Sequence, residues 1–183
     1  MSGSEQKSAK EGNLGESGDV LIRKATIEDL SDIQDLQRLL ADTEQPYDAL
    51  IDVAGTKTAE KSGYVGYVNM EKKLQSADNY VVVAVAESRA VGVCYGECKK
   101  DDDWNVLESF GYVGCVFVEA KYRGGGERGV WPKMLEALEK DFFKALGIKQ
   151  LRLDCYVDNP AAVKAYTKQN FRPVQYIMHK DVE

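Results

Sequence analysis

The chain has 183 residues, 44% hydrophobic and 30% charged, which suits one globular domain with its own core and excludes a disordered or disulfide-framed chain. Its net charge is -6 and no basic stripe with interleaved aromatics occurs, so no nucleic-acid partner is expected and a cationic small substrate is favoured. No apolar run approaches the roughly 18 residues of a membrane helix and the polar start lacks a signal-peptide core, so a cytoplasmic protein without a membrane partner is expected.

Residues 1–18 are a Ser, Gly, Glu and Lys mixture without periodicity and read as a disordered polar tail, while 19–183 read as a single folded domain. Val20 to Ala25 reads as a strand. Thr26 then stands as an N-cap before the acidic first turn of Glu28 and Asp29, and Leu30, Ile33, Leu36 and Leu40 give a helical face. Residues 43–66 hold Pro46, Gly55, Gly63 and Gly66 among polar and aromatic residues, a long connection suited to a lid or substrate wall. There Asp42, Glu44, Tyr47 and Asp48 form an acidic, aromatic cluster, either solvated loop charge or an attractor for an amine. A second helix is expected around Val68 to Ser76. Tyr80 to Ala86 and Ala90 to Cys98 flank Glu87-Ser88-Arg89 as a hairpin of antiparallel strands, and Lys99 to Trp104 reads as a solvated turn.

Gly111 to Glu119 is a fourth strand, and Val130 to Leu146 a helix with Met134, Leu135, Leu138, Phe142 and Leu146 on one face and Gly147 as its stop. Pro132 fits only a first turn, so it fixes the helix start near Trp131 and leaves 123–129 as loop. Leu151 to Val157 is a fifth strand, Asn159 to Lys168 a short helix and Pro173 to His179 a final strand, giving the order βααβββαβαβ. The four cysteines, Cys94, Cys98, Cys115 and Cys155, fall in strand-like segments. Cys94 and Cys98 would lie about 13 Å apart on one face, too far to share a zinc or a disulfide, so reduced, mostly buried thiols and no metal are expected.

The run from Tyr122 to Pro132 sets a glycine-dense loop against a helix N-terminus, where backbone N–H groups and the helix dipole can meet a phosphate. Gly124 and Gly129 have the P-loop separation, but Val130 and Trp131 stand where Lys and Ser/Thr must hold phosphates and Mg²⁺. Gly124-x-Gly126-x-x-Gly129 also matches a dinucleotide fingerprint literally. That fingerprint needs its glycines directly after the strand, and 29 residues after Asp154 are too few for a doubly wound sheet.

A third reading joins the loop to Asn159-Pro-Ala-Ala162-Val-Lys-Ala-Tyr166 and the turn before Phe171. With Val116-Phe-Val118 ahead of Tyr122-Arg123, this resembles the GNAT acetyltransferase superfamily over nearly all the folded chain. The resemblance implies an α/β fold with a mixed, mainly antiparallel sheet of six or seven strands flanked by helices. It implies acetyl-CoA as co-substrate, its pantetheine arm on Val116, Phe117 and Val118 and its pyrophosphate at Arg123, Gly124, Gly126, Arg128, Gly129, Val130 and Trp131. Asn159 and Ala162 would support the arm or the short helix, and Tyr166 would protonate the departing thiolate. The implied activity is acetyl transfer to a primary amine, small molecule or peptide, by direct attack in a ternary complex of a monomer or homodimer. A domain that binds acyl-CoA without catalysis, as a sensor or interaction module, is the alternative.

Chemically, amine attack on a thioester builds charge first on the carbonyl oxygen and then on sulfur; a backbone N–H near Val118 and a Tyr hydroxyl can serve the two. The loop departs from the family pattern. Read from Arg123, Q/R-x-x-G-x-G/A meets Arg128 at its last position; read back from the helix, Gly129-Val130-Trp131 takes the G-x-G/A place. Both registers stay open, as does the choice between Arg123 and Arg128 as the phosphate's partner. Strand four reads Gly114-Cys115 where relatives often carry a carboxylate, so no base is assigned. A covalent Cys115 or Cys155 intermediate lacks an activating His nearby in sequence. His179, the only histidine, has no triad partner at motif spacing and reads as a surface or rim residue. Asn170, where the family usually has Gly, should tolerate φ > 0.

Overall fold

The computed structural model describes residues 20–47, 68–100, 108–176, 178 and 180. The expected tail, Asp48, the glycines of the long connection, Trp104 and His179 lie outside the described residues. The elements are β1 (Leu21–Lys24), α1 (Leu30–Glu44), α2 (Met70–Gln75), β2 (Asn79–Ala86), β3 (Arg89–Lys100), β4 (Ser109–Val118), α3 (Val130–Leu138), β5 (Leu151–Arg152) and α4 (Pro160–Thr167). One sheet has the order β1-β2-β3-β4-β5; the first four strands pair antiparallel and β5 runs parallel to β4.

The near-continuous apolar run of β2 is explained by a sheet covered on both faces. Val82, Ala84 and Ala86 point to a core built with Met134, Leu135 and Leu138 of α3. Val81 and Val83 point the other way, to Ile33, Leu36 and Leu40 of α1 and Met70 of α2. The β2–β3 turn is two residues, Glu87 (φ 53) and Ser88 (φ 66), the left-handed pair that matches strand twist. Where β1 leads into α1, the Arg23 guanidinium donates to both Asp29 oxygens at 2.7 and 2.8 Å and Thr26 N–H donates to Asp29 at 2.8 Å. The Arg23 bond holds the Asp29 carboxyl below its ordinary range.

Three expectations are corrected. Among the described residues the sheet has five strands, not six or seven. The expected last strand is absent there: Pro173 has no N–H to donate, and Val174, Tyr176 and Met178 are 71 to 91% exposed with no sheet partner. β5 is likewise only two residues long. Second, Leu146 is exposed, because α3 widens into a π-helical turn over Glu139–Phe143. The extra residue per turn rotates the residues beyond it, bringing Phe143 into the core and Leu146 out of it. Third, the thiols are all free but not mostly buried: Cys98 and Cys155 are exposed.

β4 is positioned by small residues under large ones. A Cβ on Gly111 would lie 2.6 Å from both Leu151 and Phe143 side-chain carbons, at the point where β4 pairs with β5. Gly111→Val should therefore destabilise the fold by about 1–3 kcal/mol through overpacking. Urea unfolding should show a lowered midpoint with an unchanged slope.

Candidate active site

Parallel pairing of β4 with β5 consists of Gly111 with Leu151 and Tyr112 with Arg152, while β4 continues to Val118. Beyond this, Tyr112 donates its hydroxyl proton to Asp154 at 2.9 Å. The register with β3 shifts between Val93↔Phe117 and Tyr95↔Gly114, so β4 carries one extra residue, and Cys115 there has φ 50. Such a bulge leaves local backbone groups unpaired with the neighbouring strand and bends the strand. Val116 and Val118 pack on the α3 side, Phe117 and Cys115 on the α1 side. Val118 itself pairs with Gly92, and its carbonyl accepts from Arg123 Nε at 2.6 Å.

The glycine loop comes next. Gly124, Gly125 and Gly126 all have positive φ, and a Cβ on Gly129 would lie 2.1 Å from the Gly124 carbonyl oxygen, so the loop closes on itself only with glycine at 129. Gly129 is the N-cap of α3, and Pro132 sits in its first turn. Because Pro132 has no N–H and Lys133 N–H already bonds Gly129, the N–H groups of Val130 and Trp131 are the helix-start donors directed out of the helix. This geometry puts Gly129-Val130-Trp131 at the helix start, the second of the two sequence registers. Arg123 and Arg128 are both exposed; the Arg123 guanidinium is engaged with the end of β4, 5.2 Å from the Phe117 ring centre, and Arg128 stands in the last turn before Gly129.

Trp131 turns inward from the helix start and meets Tyr166 edge-on, ring centres 5.7 Å apart; Tyr166 meets Phe171 at 6.2 Å. Asn159 caps α4 by accepting from Ala162 N–H at 3.1 Å, and Asn170 adopts φ 65. Burial first, then the charges of Cys155 and Glu44, pushes the Tyr166 hydroxyl well above the ordinary phenol range. It is a neutral donor at physiological pH. The outward face of α4 is separate: Pro160, Val163, Lys164, Thr167 and Lys168, with Val157, line an open groove of about 440 Å³.

One buried residue of this region was not assigned from sequence. Gln37 is fully buried on α1, donates from Nε2 to Val68 O at 2.9 Å and leaves Oε1 without a partner; a polar residue in the inward phase of the helix was the available signal. Trp131 Nε1 is the other buried orphan. Cys115 sits in the bulge beside Gln37, its thiol pushed up to about 12 by burial first and then the Glu44 charge. Glu44, half-buried at the end of α1, acts electrostatically on Cys115, Cys155 and Tyr166, while Asp42 of the same turn is exposed. Tyr47 stacks on Tyr156 with ring centres 6.0 Å apart. Among the described residues no group of His, Cys, Asp and Glu is arranged to hold a metal ion, and no helix is long and apolar enough to cross a membrane.

A five-stranded, mainly antiparallel sheet covered by helices on both faces, with a glycine loop and helix N-terminus at the end of β4, defines the chain as an α/β fold. The chain belongs to the acetyltransferase (GNAT) family, whose model matches residues 34–171. Solved structures agree in fold. The aminoglycoside N-acetyltransferase AAC(6')-Iy, in complex with a CoA bisubstrate analogue, superposes with a TM-score of 0.62 at 16% identity, covering 91% of this chain and 99% of its own. The aminoglycoside 6'-N-acetyltransferase AAC(6')-Ih from Acinetobacter baumannii gives 0.65 at 13%, covering 90% and 99%. A GCN5-related N-acetyltransferase from Ralstonia eutropha gives 0.65 at 16%, also covering 90% and 99%. No curated protein sequence matches the chain.

The thiols give a direct check on this packing. A thiol reagent at neutral pH should modify Cys98 and Cys155 in the native protein and leave Cys94 and Cys115 unmodified until denaturation, because burial disfavours their thiolates. Peptide mapping after native alkylation reads this directly.

Proposed function

We propose that residues 19–183 form one catalytic domain that moves an acetyl group from acetyl-CoA to a primary amine by direct attack, with Tyr166 as the acid for the departing thiolate. The observation that carries this reading is the placement of the Tyr166 hydroxyl: braced edge-on by Trp131 and Phe171, and close enough to Cys115 of β4 and to Cys155 to sense their charges. The same geometry supports a role for each binding residue. Backbone of Val116, Phe117 and Val118 takes the pantetheine arm; Gly124, Gly126, Gly129 and the N–H groups of Val130 and Trp131 take the pyrophosphate, with exposed Arg128 as its charge partner and Arg123 bracing the strand end. The thioester oxygen is served by a backbone N–H near Val118: Glu119 N–H bonds Val91 O, so the alternation of the antiparallel ladder turns the Val118 N–H away from β3.

Asn159 and Ala162 act through the helix, the one capping the other, so that Tyr166 is held at a fixed angle. Direct attack is supported over a covalent thiol route because burial raises the pKa of Cys115 and of Cys155 and so suppresses the thiolate each would need. The negative net charge agrees with a cationic amine, small molecule or peptide.

Tyr166→Phe is expected to lower kcat by about 10²- to 10⁴-fold, the range for loss of a positioned acid, while CoA affinity stays within about twofold. Thiol release measured with a polyamine, amino-acid and peptide panel, alongside CoA titration, checks both. Unchanged turnover with lost binding would refute the acid assignment, and thermal stabilisation by CoA without thiol release from the wild type would favour the non-catalytic binder. Arg128→Ala should weaken CoA binding by about 1.5–3 kcal/mol, as for loss of a charge-assisted bond, with Arg123→Ala acting chiefly on thermal stability.

A further inference from the structure

We propose that Glu44 is the group that accepts the proton of the acceptor's ammonium, which makes the acceptor an alkylammonium compound docked against the C-terminal end of α1. This rests on the acetyl-transfer reading of the same site.

The placement comes from helix phase. Ile33, Leu36, Gln37, Leu40 and Ala41 form the inward face of α1, and Glu44 continues it seven residues after Gln37 and four after Leu40. It therefore lies on the side of the helix that packs on β3 and β4, two turns beyond Gln37. Groups on three other elements feel its charge: Cys115 from β4, Cys155 from the segment after β5 and Tyr166 from α4. A carboxylate that acts on all three lies where α1, the bulged part of β4 and α4 converge. Asp154, whose oxygen receives the Tyr112 hydroxyl, is a further charge acting on Cys155; Gln37 on the same helix is neutral.

The surroundings favour a cation. The last carbonyls of α1 carry the negative end of the helix dipole, and its final turn contains no basic side chain to neutralise it. One turn further on, Tyr47 stacks on Tyr156 and so carries the chain from α1 to the segment after β5. A carboxylate beside aromatic rings is the environment in which an alkylammonium is held.

The chemistry needs this group. An alkylamine with a pKa near that of lysine is neutral in only about one part in 10³ near pH 7.4, and only the neutral nitrogen attacks. Glu44 takes one proton from the ammonium and passes it to solvent. The nitrogen lone pair then forms the C–N bond, the C–S bond breaks, and sulfur takes the Tyr166 proton. The second nitrogen proton restores the Tyr166 hydroxyl, so that one amide, one thiol and one solvent proton result.

The test compares wild type, Glu44→Gln and Glu44→Asp with 1,4-diaminobutane and a lysine dipeptide as acceptors and acetyl-CoA as donor, from pH 6.5 to 9.5. Near pH 7 the Gln variant should lose about 10²-fold or more in kcat/KM, and the loss should shrink by about tenfold per pH unit as solution supplies the neutral amine. The Asp variant should retain part of the activity and the wild-type profile. Thermal stabilisation by CoA should match in all three proteins, which reports the fold independently of turnover. A loss that is flat with pH, or under about threefold, overturns the proposal alone. Wild-type protein that releases no thiol with any amine overturns the acetyl-transfer reading and this proposal with it.

Discussion

The pairing of β4 with β5 lasts for two residues, and the site depends on its stopping there. A parallel neighbour along the whole strand would use the backbone groups of β4 that a ligand needs. Two devices end the ladder. The bulge at Cys115 adds a residue to β4 and bends it, and Tyr112 reaches across to Asp154, using a side chain where a backbone rung would otherwise continue. The α1 and α3 layers then hold β4 from both faces, so the open edge is rigid even though it lacks a strand beside it.

The same opening brings the chemistry together. α3 begins beside the far end of β4, so its Trp131 reaches Tyr166 on α4, and α4 is fixed by the Asn159 cap. Burial does the electrostatic work. It raises the pKa of the Tyr166 phenol and of the Cys115 and Cys94 thiols, leaving a neutral, proton-donating lining, and Glu44 adds a negative charge where α1, β4 and α4 converge. A neutral interior with a charged rim suits a reaction that begins with deprotonation outside and ends with protonation inside.

Local chemistry was legible in the sequence. Pro132 marks the start of α3, Glu87 to Arg89 a hairpin and Asn170 a left-handed residue, because each acts on its own backbone within a few positions. Features that depend on pairing between distant segments were not. The bulge at Cys115 has only a weak sign in Gly114, a glycine inside a strand pattern, and its place in the register is set by β3. The final strand fails for want of a partner, a fact absent from its alternating Val174, Tyr176 and Met178. Leu146 was misplaced by a π-helical turn that shifts the phase of an otherwise regular apolar stripe. Glu44 was visible as a charge in an acidic cluster, but which carboxylate turns inward is set by the phase of α1 against β4, seen only once the sheet is assembled.

The central claim, that the open edge of β4 and the loop leading into α3 receive the acyl-CoA, is tested most directly by amide hydrogen exchange with and without CoA. Slowed exchange is predicted at Val116 to Val118, at Gly124 to Gly126 and at Val130 and Trp131, with little change on the outward face of α4. Protection confined to the groove at Val157, Val163 and Thr167, with the loop and β4 unchanged, would contradict it.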